Sequence, residues 1–178
     1  MVRPSLIGTG QRYGPPMPLL SVDSPIGRAT QKVASSAAFA KVAPHVIPPV
    51  DTVLHRLTGG RVLLSRALLP GLVLTTTGRR SGQPRPSPLM CVPEPEGTFL
   101  VVGSNFGRES HPAWTGNLLA EPRASISYGR RDIPVAAELL AGEARDEAWA
   151  RALRVWPTFS AYQSRVDREL RVFRLHRR

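Results

Sequence analysis

Short apolar and alternating runs, separated by turns rich in glycine and proline, fill the chain from residue 71 onward and restrict its fold most strongly. Runs of this kind are typical of antiparallel strands with short connections. We predict strands over 71–77, 86–92, 98–103, 124–128, 133–139 and 170–175. About six such strands with few helices predict a mainly β (α+β) domain, in which the sheet closes or partly closes into a small barrel.

Helical patterns interrupt the strands in the C-terminal half. Ser110-His111-Pro112 resembles a helix start with Ser110 as its cap, and that helix ends at Glu121-Pro122. A second helix is predicted over about 143–156, where Pro157 breaks it. Thr158 is then the predicted cap of a last short helix. The hairpin between the strands at 124–128 and 133–139 turns at 129–132.

The N-terminal part of the chain has a different composition. Glycine and proline recur through residues 1–28, and an alanine-rich stretch over 30–43 predicts a weak helix. We therefore expect residues 1–45 to form a flexible N-terminal arm and residues 46–178 to form the barrel domain. A short helix after Pro48-Pro49 would open that domain.

The net charge of +11 fits an anionic partner, and the excess of arginine equally fits the composition of a GC-rich genome. Nucleic acid, an anionic membrane surface and a polyanionic cofactor all fit this charge. The chain has no recognised nucleic-acid motif and no basic helix stripe, so we expect no nucleic-acid partner. The basic N-terminal region leaves peripheral contact with a membrane open.

Cysteine and histidine usage limits the chemistry further. Cys91 is the single cysteine, which excludes an internal disulfide, and the four histidines have no metal-ligand spacing. We therefore expect no metal site. No apolar run approaches the ~18 residues of a membrane span, and no secretory signal is evident. We expect a cytoplasmic protein, with peripheral binding to the inner face of the membrane as an open alternative.

The segment T-T-T-G-R-R-S-G-Q-P-R at residues 75–85 carries the clearest functional signal. It joins two predicted strands through a glycine-rich turn with three guanidiniums. Glycine allows close backbone approach, and arginine binds carboxylate and phosphate through paired hydrogen bonds. The turn is suited to holding a polyanionic tail, although a simple hairpin with solvated arginines fits the same pattern.

Two later segments carry further signals. Residues 104–118, S-N-F-G-R-E-S-H-P-A-W-T-G-N-L, lead from a strand into a helix N-terminus, where free backbone N–H groups favour a phosphate or a ring carbonyl. Residues 156–162, W-P-T-F-S-A-Y, repeat an aromatic side chain every three residues. Such a face either lines a flat substrate or packs in the core.

Taken in this order, the three segments resemble the deazaflavin-dependent nitroreductase and quinone reductase family, whose members use reduced coenzyme F420. The resemblance covers roughly residues 50–176. It implies a split β-barrel like that of FMN-binding oxidoreductases. It also implies hydride transfer from the reduced coenzyme to a small-molecule acceptor, which is a quinone, a nitroaromatic or an activated alkene.

The resemblance also implies roles for individual residues. The turn would bind the phosphate and oligoglutamate tail of the coenzyme, and the second segment would pass beneath the deazaflavin ring. The implied cofactor-binding residues are Gly78, Arg79, Arg80, Ser81, Gln83, Arg85, Pro86, Ser104, Asn105, Trp114 and Asn117. Trp156, Phe159 and Tyr162 would border the substrate. Tyr162 is the first candidate for donating to the developing negative charge, and His111 is the second.

The chain departs from its relatives at several of these positions. Some relatives have Ser-Lys-Gly-Gly where this chain has residues 104–107, and tyrosines stand in relatives at Thr115, Trp156 and Phe159. These departures affect the expected substrate more than the expected cofactor.

Several alternatives stay open from the sequence. They are an FMN or FAD enzyme on the same barrel, a non-catalytic protein that binds F420, and the nucleic-acid-binding module that no motif supports. The sequence also leaves a monomer and a homodimer as alternatives.

Overall fold

A computed structural model describes residues 71–129 and 131–178, together with the single positions 29, 32, 36, 38, 42, 46 and 53. The arm predicted for residues 1–45 and the helix predicted after Pro48-Pro49 lie outside the two continuous ranges. They stay predictions.

Six antiparallel strands form a closed barrel in the described residues. Around the barrel the strands follow the order β1-β2-β3-β6-β5-β4. The predicted barrel of about six antiparallel strands is confirmed. The strands are β1 (Gly71–Thr77), β2 (Pro84–Pro93), β3 (Phe99–Val102), β4 (Arg123–Tyr128), β5 (Arg131–Leu139) and β6 (Val172–Arg177).

Alternation along β3 divides its apolar side chains between the inside of the barrel and its outer side. On β3, Phe99 and Val101 pack inside the barrel, whereas Leu100 and Val102 pack on its outer side. This is the two-residue period of a strand that is covered on both faces. The outer side is covered by α2 (Gly142–Val155) and α3 (Thr158–Gln163).

The helix α1 (Ala113–Ala120) contributes to the inner core. Its Trp114 and Leu118 are buried with the inward side chains of the barrel, and the Trp114 ring lies 5.7 Å from that of Phe173. Both residues face the barrel because they are four positions apart, about one helical turn. The helix is thereby fixed beside the start of the β1–β2 turn.

Two predicted helix caps are wrong. Helix α1 begins at Ala113 with Pro112 in the extended cap position, and Ser110 does not cap it. A residue before proline avoids the helical conformation, so the helix starts only after Pro112. Thr158 is the first residue of α3, and Pro157 occupies the cap position.

Some element bounds also differ from the prediction. Tyr128 pairs with Arg131, so Arg131 and Asp132 belong to β5 and the predicted four-residue turn is shorter. Gly129 has a φ of 58°, as a two-residue hairpin turn requires. The last strand starts at Val172, not at residue 170.

The helices within the described ranges give one finding about membranes. None of them combines the length and the apolar character that crossing a bilayer requires.

Candidate functional site

The arginine-bearing turn between β1 and β2 is closed by its own backbone. The Gly78 N–H donates to the Gln83 carbonyl at 2.8 Å, and the Gly82 N–H donates to the Gly78 carbonyl at 2.7 Å. A β-carbon on Gly78 would lie 2.7 Å from Ser81 Oγ and 3.2 Å from the Gln83 carbonyl oxygen. The turn therefore needs glycine at position 78 for close approach.

Arg79 lies across α1. Its Nη1 donates to the Ala113 carbonyl at 3.1 Å and to Asn117 Oδ1 at 3.3 Å, and its backbone N–H donates to the same oxygen at 3.2 Å. A β-carbon on Gly116 would come within 2.8 Å of Nη1. Because Gly116 has no side chain, the guanidinium of Arg79 can lie directly against α1 at this position.

Asn117 joins the turn to the barrel wall. Its side-chain Oδ1 accepts from Arg79, while its Nδ2 donates to Thr76 Oγ1 at 3.0 Å. Asn117 and Thr76 are both buried. Buried polar groups are costly unless they are paired, so this network holds the turn, β1 and α1 in one arrangement.

The remaining donors of the turn face solvent. Arg80 and Arg85 are exposed, and Arg85 Nη2 donates to Ser81 Oγ at 3.2 Å. In the described part of the chain, no carboxylate forms an ion pair with any of the three arginines of the turn. The sequence has no acidic residue between Asp51 and Glu94. The turn is thus a cluster of cations and donors available to an outside anion.

The second predicted segment forms an unusual loop before α1. Asn105, Phe106 and Gly107 all have left-handed backbone, with φ of 48°, 58° and 73°. Such conformations are strained for residues other than glycine, most of all for a bulky residue such as Phe106. Asn105 Nδ2 fixes the loop by donating to the Ser110 carbonyl at 2.8 Å.

Arg168 holds this loop from the opposite side. Its guanidinium donates to the Arg108 carbonyl at 2.8 Å and to the Ser104 carbonyl at 3.0 Å. Its Nη1 also lies 3.1 Å from His111 Nδ1. One side chain therefore connects the strained loop with the residue before Pro112.

His111 is held as a neutral ring. Burial, followed by the charges of Arg171 and Arg168, lowers its pKa below the ordinary 6.5. A guanidinium can only donate, so Nδ1 of His111 is the acceptor and the proton of the neutral ring is on Nε2. The imidazole can thus donate through Nε2.

The aromatic segment lies in the core. Trp156, Phe159 and Tyr162 are 7%, 5% and 4% exposed, and they pack together between the barrel and α2. Burial raises the pKa of Tyr162 to about 12. A β-carbon on Gly107 would lie 3.1 Å from the Tyr162 backbone, so this segment supports the strained loop directly. That the aromatic segment borders a substrate is still a prediction.

The structure brings the predicted residues into two groups, one packed against α1 and one in the loop that precedes it. Gly78, Arg79, Ser81, Gln83, Arg85 and Asn117 belong to the turn network, and Ser104, Asn105 and His111 belong to the loop held by Arg168. Trp114 is buried in the inner core, Arg80 is exposed beside the network, and Pro86 pairs with Thr75 in the sheet. None of these placements depends on a cofactor, so the assigned binding roles stay predictions.

Sequence reasoning missed Arg168, Gly116 and Thr76. The sequence signal for Arg168 is the three-residue spacing of Arg165, Arg168 and Arg171. This spacing does not predict which groups Arg168 contacts. The acceptors of Arg168 lie 57 to 65 positions away along the chain. Local patterns carry no information about such contacts.

Comparisons with known proteins agree with this geometry. The family model described as F420H(2)-dependent quinone reductase matches residues 50–176. The F420H(2)-dependent quinone reductase of Mycobacterium tuberculosis (strain ATCC 25618 / H37Rv) is 32% identical over 114 residues, covering 61% of this chain and 74% of that protein.

Two solved structures share the fold at comparable identity. An F420-H2 dependent reductase is 37% identical with a TM-score of 0.56, covering 60% of this chain and 94% of that one. A chain described as a domain-swapped dimer is 34% identical with a TM-score of 0.58, covering 72% and 99%. The family match spans the barrel, the arginine-bearing turn and the loop before α1, and the chain belongs to the F420H(2)-dependent quinone reductase family.

Proposed function

We propose that this protein reduces a quinone with reduced coenzyme F420. The observation that carries the proposal is the turn at 78–85, whose arginines have no carboxylate partner among the described residues and which belongs to the region matched by the family model. When bound, reduced F420 supplies the hydride; the chain supplies binding, orientation and electrostatics.

The donor set of the turn fits the coenzyme, which carries a phosphate and a glutamate tail. Arg80 and Arg85 present exposed guanidiniums, and Ser81 and Gln83 add polar side chains beside them. Paired guanidinium hydrogen bonds suit both phosphate and carboxylate. In this proposal Arg79 has a different role, because its contacts with Ala113 and Asn117 keep the turn against α1.

The loop at 104–107 and the start of α1 form the other side of the proposed site. Ser104 and Asn105 would lie beside the ring of the coenzyme, and Trp114 and Asn117 would support it from α1. The Nε2–H of His111 is a donor for the negative charge that develops on the acceptor. Tyr162 is the alternative donor, although it is buried in this structure.

The family match favours quinones over nitroaromatics and activated alkenes as acceptors, and F420 over FMN as cofactor. A non-catalytic F420-binding protein is the second candidate, because a buried aromatic segment leaves less surface for a substrate. The dimer described for one solved neighbour supports a homodimer for this chain. Peripheral contact with the inner membrane face rests on the basic N-terminal composition alone.

The proposal is tested by fluorescence titration of the purified protein with F420 and, in parallel, with FMN. Menadione, a nitroaromatic and an activated alkene are then added separately to the reduced complex. We expect F420 to bind, FMN not to compete, and menadione to reoxidise the complex fastest. F420 binding without reoxidation would support the non-catalytic alternative, and retention of FMN would refute the cofactor assignment.

The role of the turn is tested with R80Q. Loss of a charge-assisted hydrogen bond to the tail should raise the Kd for F420 about tenfold, or about 1.4 kcal/mol. Arg154 lies exposed near the end of α2, so R154Q removes the same charge elsewhere and should leave the Kd unchanged. Equal effects of R80Q and R154Q would indicate attraction by net charge, without a specific contact.

A further inference from the structure

Arg168 makes an unusually complete set of contacts for a partly exposed arginine. Its Nε donates to the Arg108 carbonyl at 3.0 Å, its Nη2 donates to the Arg108 and Ser104 carbonyls, and its Nη1 reaches the Gly103 carbonyl at 3.4 Å. The same Nη1 donates to His111 Nδ1 at 3.1 Å. Every N–H-bearing nitrogen of the guanidinium therefore faces the loop between β3 and α1.

This contact set determines the state of His111. A guanidinium cannot accept a hydrogen bond, so His111 Nδ1 must accept from Arg168 and carries no proton. The hydrogen of the neutral imidazole is therefore on Nε2. The charged groups around the ring are Arg168 and Arg171 from the segment that enters β6, with Arg108 and Glu109 on the loop itself. Burial and the two arginines keep the pKa of His111 low, so the ring stays neutral at neutral pH.

The loop itself needs such support. Three successive residues have left-handed backbone, and Gly107 packs against the backbone of Tyr162. Strained backbone of this kind persists only where its surroundings hold it. Arg168 donates to the carbonyls of Ser104 and Arg108, which lie on either side of the strained residues. It therefore supports the strained backbone of the loop.

We propose that Arg168 is a positioning residue that fixes the Nε2–H tautomer of His111 and the loop before α1, so that His111 donates a hydrogen bond to the acceptor oxygen. The hydrogen bond from His111 to the acceptor rests on the function proposed above. The effect of Arg168 on the His111 tautomer is independent of that function. Lysine cannot replace Arg168, because a single ammonium does not reach the four acceptors that the three nitrogens of the guanidinium contact.

The tautomer is measured directly by ¹H–¹⁵N spectra of the histidine rings in the full-length protein, with the His111 signals assigned by their loss in H111Q. In the wild-type protein at pH 7.5 we expect a pyridine-like Nδ1 and a protonated Nε2. A protonated Nδ1, or a doubly protonated ring, would overturn the proposal without any Arg168 variant.

The variants R168K and R168Q test the contact itself. Both should produce a mixture of the two His111 tautomers. R171Q removes an equal charge near the ring but no hydrogen bond to it, since Arg171 donates to Thr115. It should raise the pKa of His111 and leave the tautomer unchanged. Unchanged ring signals in R168K and R168Q would refute the proposal, and R168K preserves the test if R168Q does not fold.

Kinetics with reduced F420 and menadione test the consequence for the reaction. We expect R168K to lower kcat about tenfold with less than about a twofold change in KM, and H111Q to lower kcat about a hundredfold. In the H111Q background, R168K should have a smaller effect, because only the support of the loop is then lost. An equal loss from R168K with and without His111 would contradict positioning. If the wild-type protein has no activity, the proposed function fails while the tautomer prediction is still decided by the spectra.

Discussion

At the scale of the residue, Gly107 is the most constrained position of the candidate site. Its φ of 73° is unfavourable for any side chain, and an added β-carbon would lie 3.1 Å from two backbone atoms of Tyr162. We expect G107A to lower the free energy of unfolding by about 3 kcal/mol, from strain and from the displaced segment together. Urea unfolding followed by tryptophan fluorescence measures this value.

Gly97 provides the matched control for this substitution. Its φ of 76° is nearly the same, but no atom lies within 4 Å of the position of an added β-carbon. We expect G97A to cost about 1 kcal/mol, which is the strain alone. Equal costs at the two positions would mean that the Tyr162 segment accommodates the added β-carbon and does not constrain position 107.

The ionisation of His111 also acts at this scale. Its pKa in the folded protein lies below 6.5, so the unfolded chain takes up the proton first as the pH falls. The contribution to stability is therefore complete above about pH 6.5 and decreases as the pH falls towards the folded-state pKa. H111Q should remove this part of the pH dependence of unfolding. Parallel pH profiles for the two proteins would contradict it.

At the scale of the element, Asn117 of α1 holds the helix against β1 and the arginine-bearing turn. N117A removes the acceptor of Arg79 and the donor to Thr76. We expect it to cost about 2 kcal/mol of stability and to weaken F420 binding about tenfold. T76V removes only the second contact, so it should cost about 1 kcal/mol and leave the Kd within about twofold. Equal effects on binding would mean that Asn117 does not act through Arg79.

The same elements explain how much the sequence could predict. The β1–β2 turn was predictable because its backbone hydrogen bonds join residues three to five positions apart, and glycine marks them. The barrel was predictable because β1 and β3 are short apolar runs between turns and because apolar residues alternate along β4 and β5. The contacts of Arg79 with Asn117 and of Arg168 with His111 join residues 38 and 57 positions apart, and they depend on how α1 packs. No local pattern encodes that packing.

At the scale of the whole molecule, Glu94 joins the outer helix α2 to the barrel. Its side chain is 5% exposed, and it pairs with Arg151 of α2 and with Arg174 of β6, the latter at 2.9 Å. E94Q removes the counter-charge of Arg174 and leaves Arg151 with only the exposed Glu147, so we expect a loss of about 3 kcal/mol in the free energy of unfolding. E121Q, which affects the exposed pair with Arg123, serves as the control and should leave stability unchanged within error. Similar losses would mean that burial of Glu94 adds nothing.

The barrel order also has a consequence for synthesis. Strand β6 lies between β3 and β5, yet it is the last of the six strands in the chain. Until it emerges from the ribosome, the other five form an open sheet with unpaired backbone groups along both β3 and β5. Such edges recruit other strands. A chain that stops before Val172 should therefore aggregate, whereas the same chain with β6 present has no open edge in its described barrel.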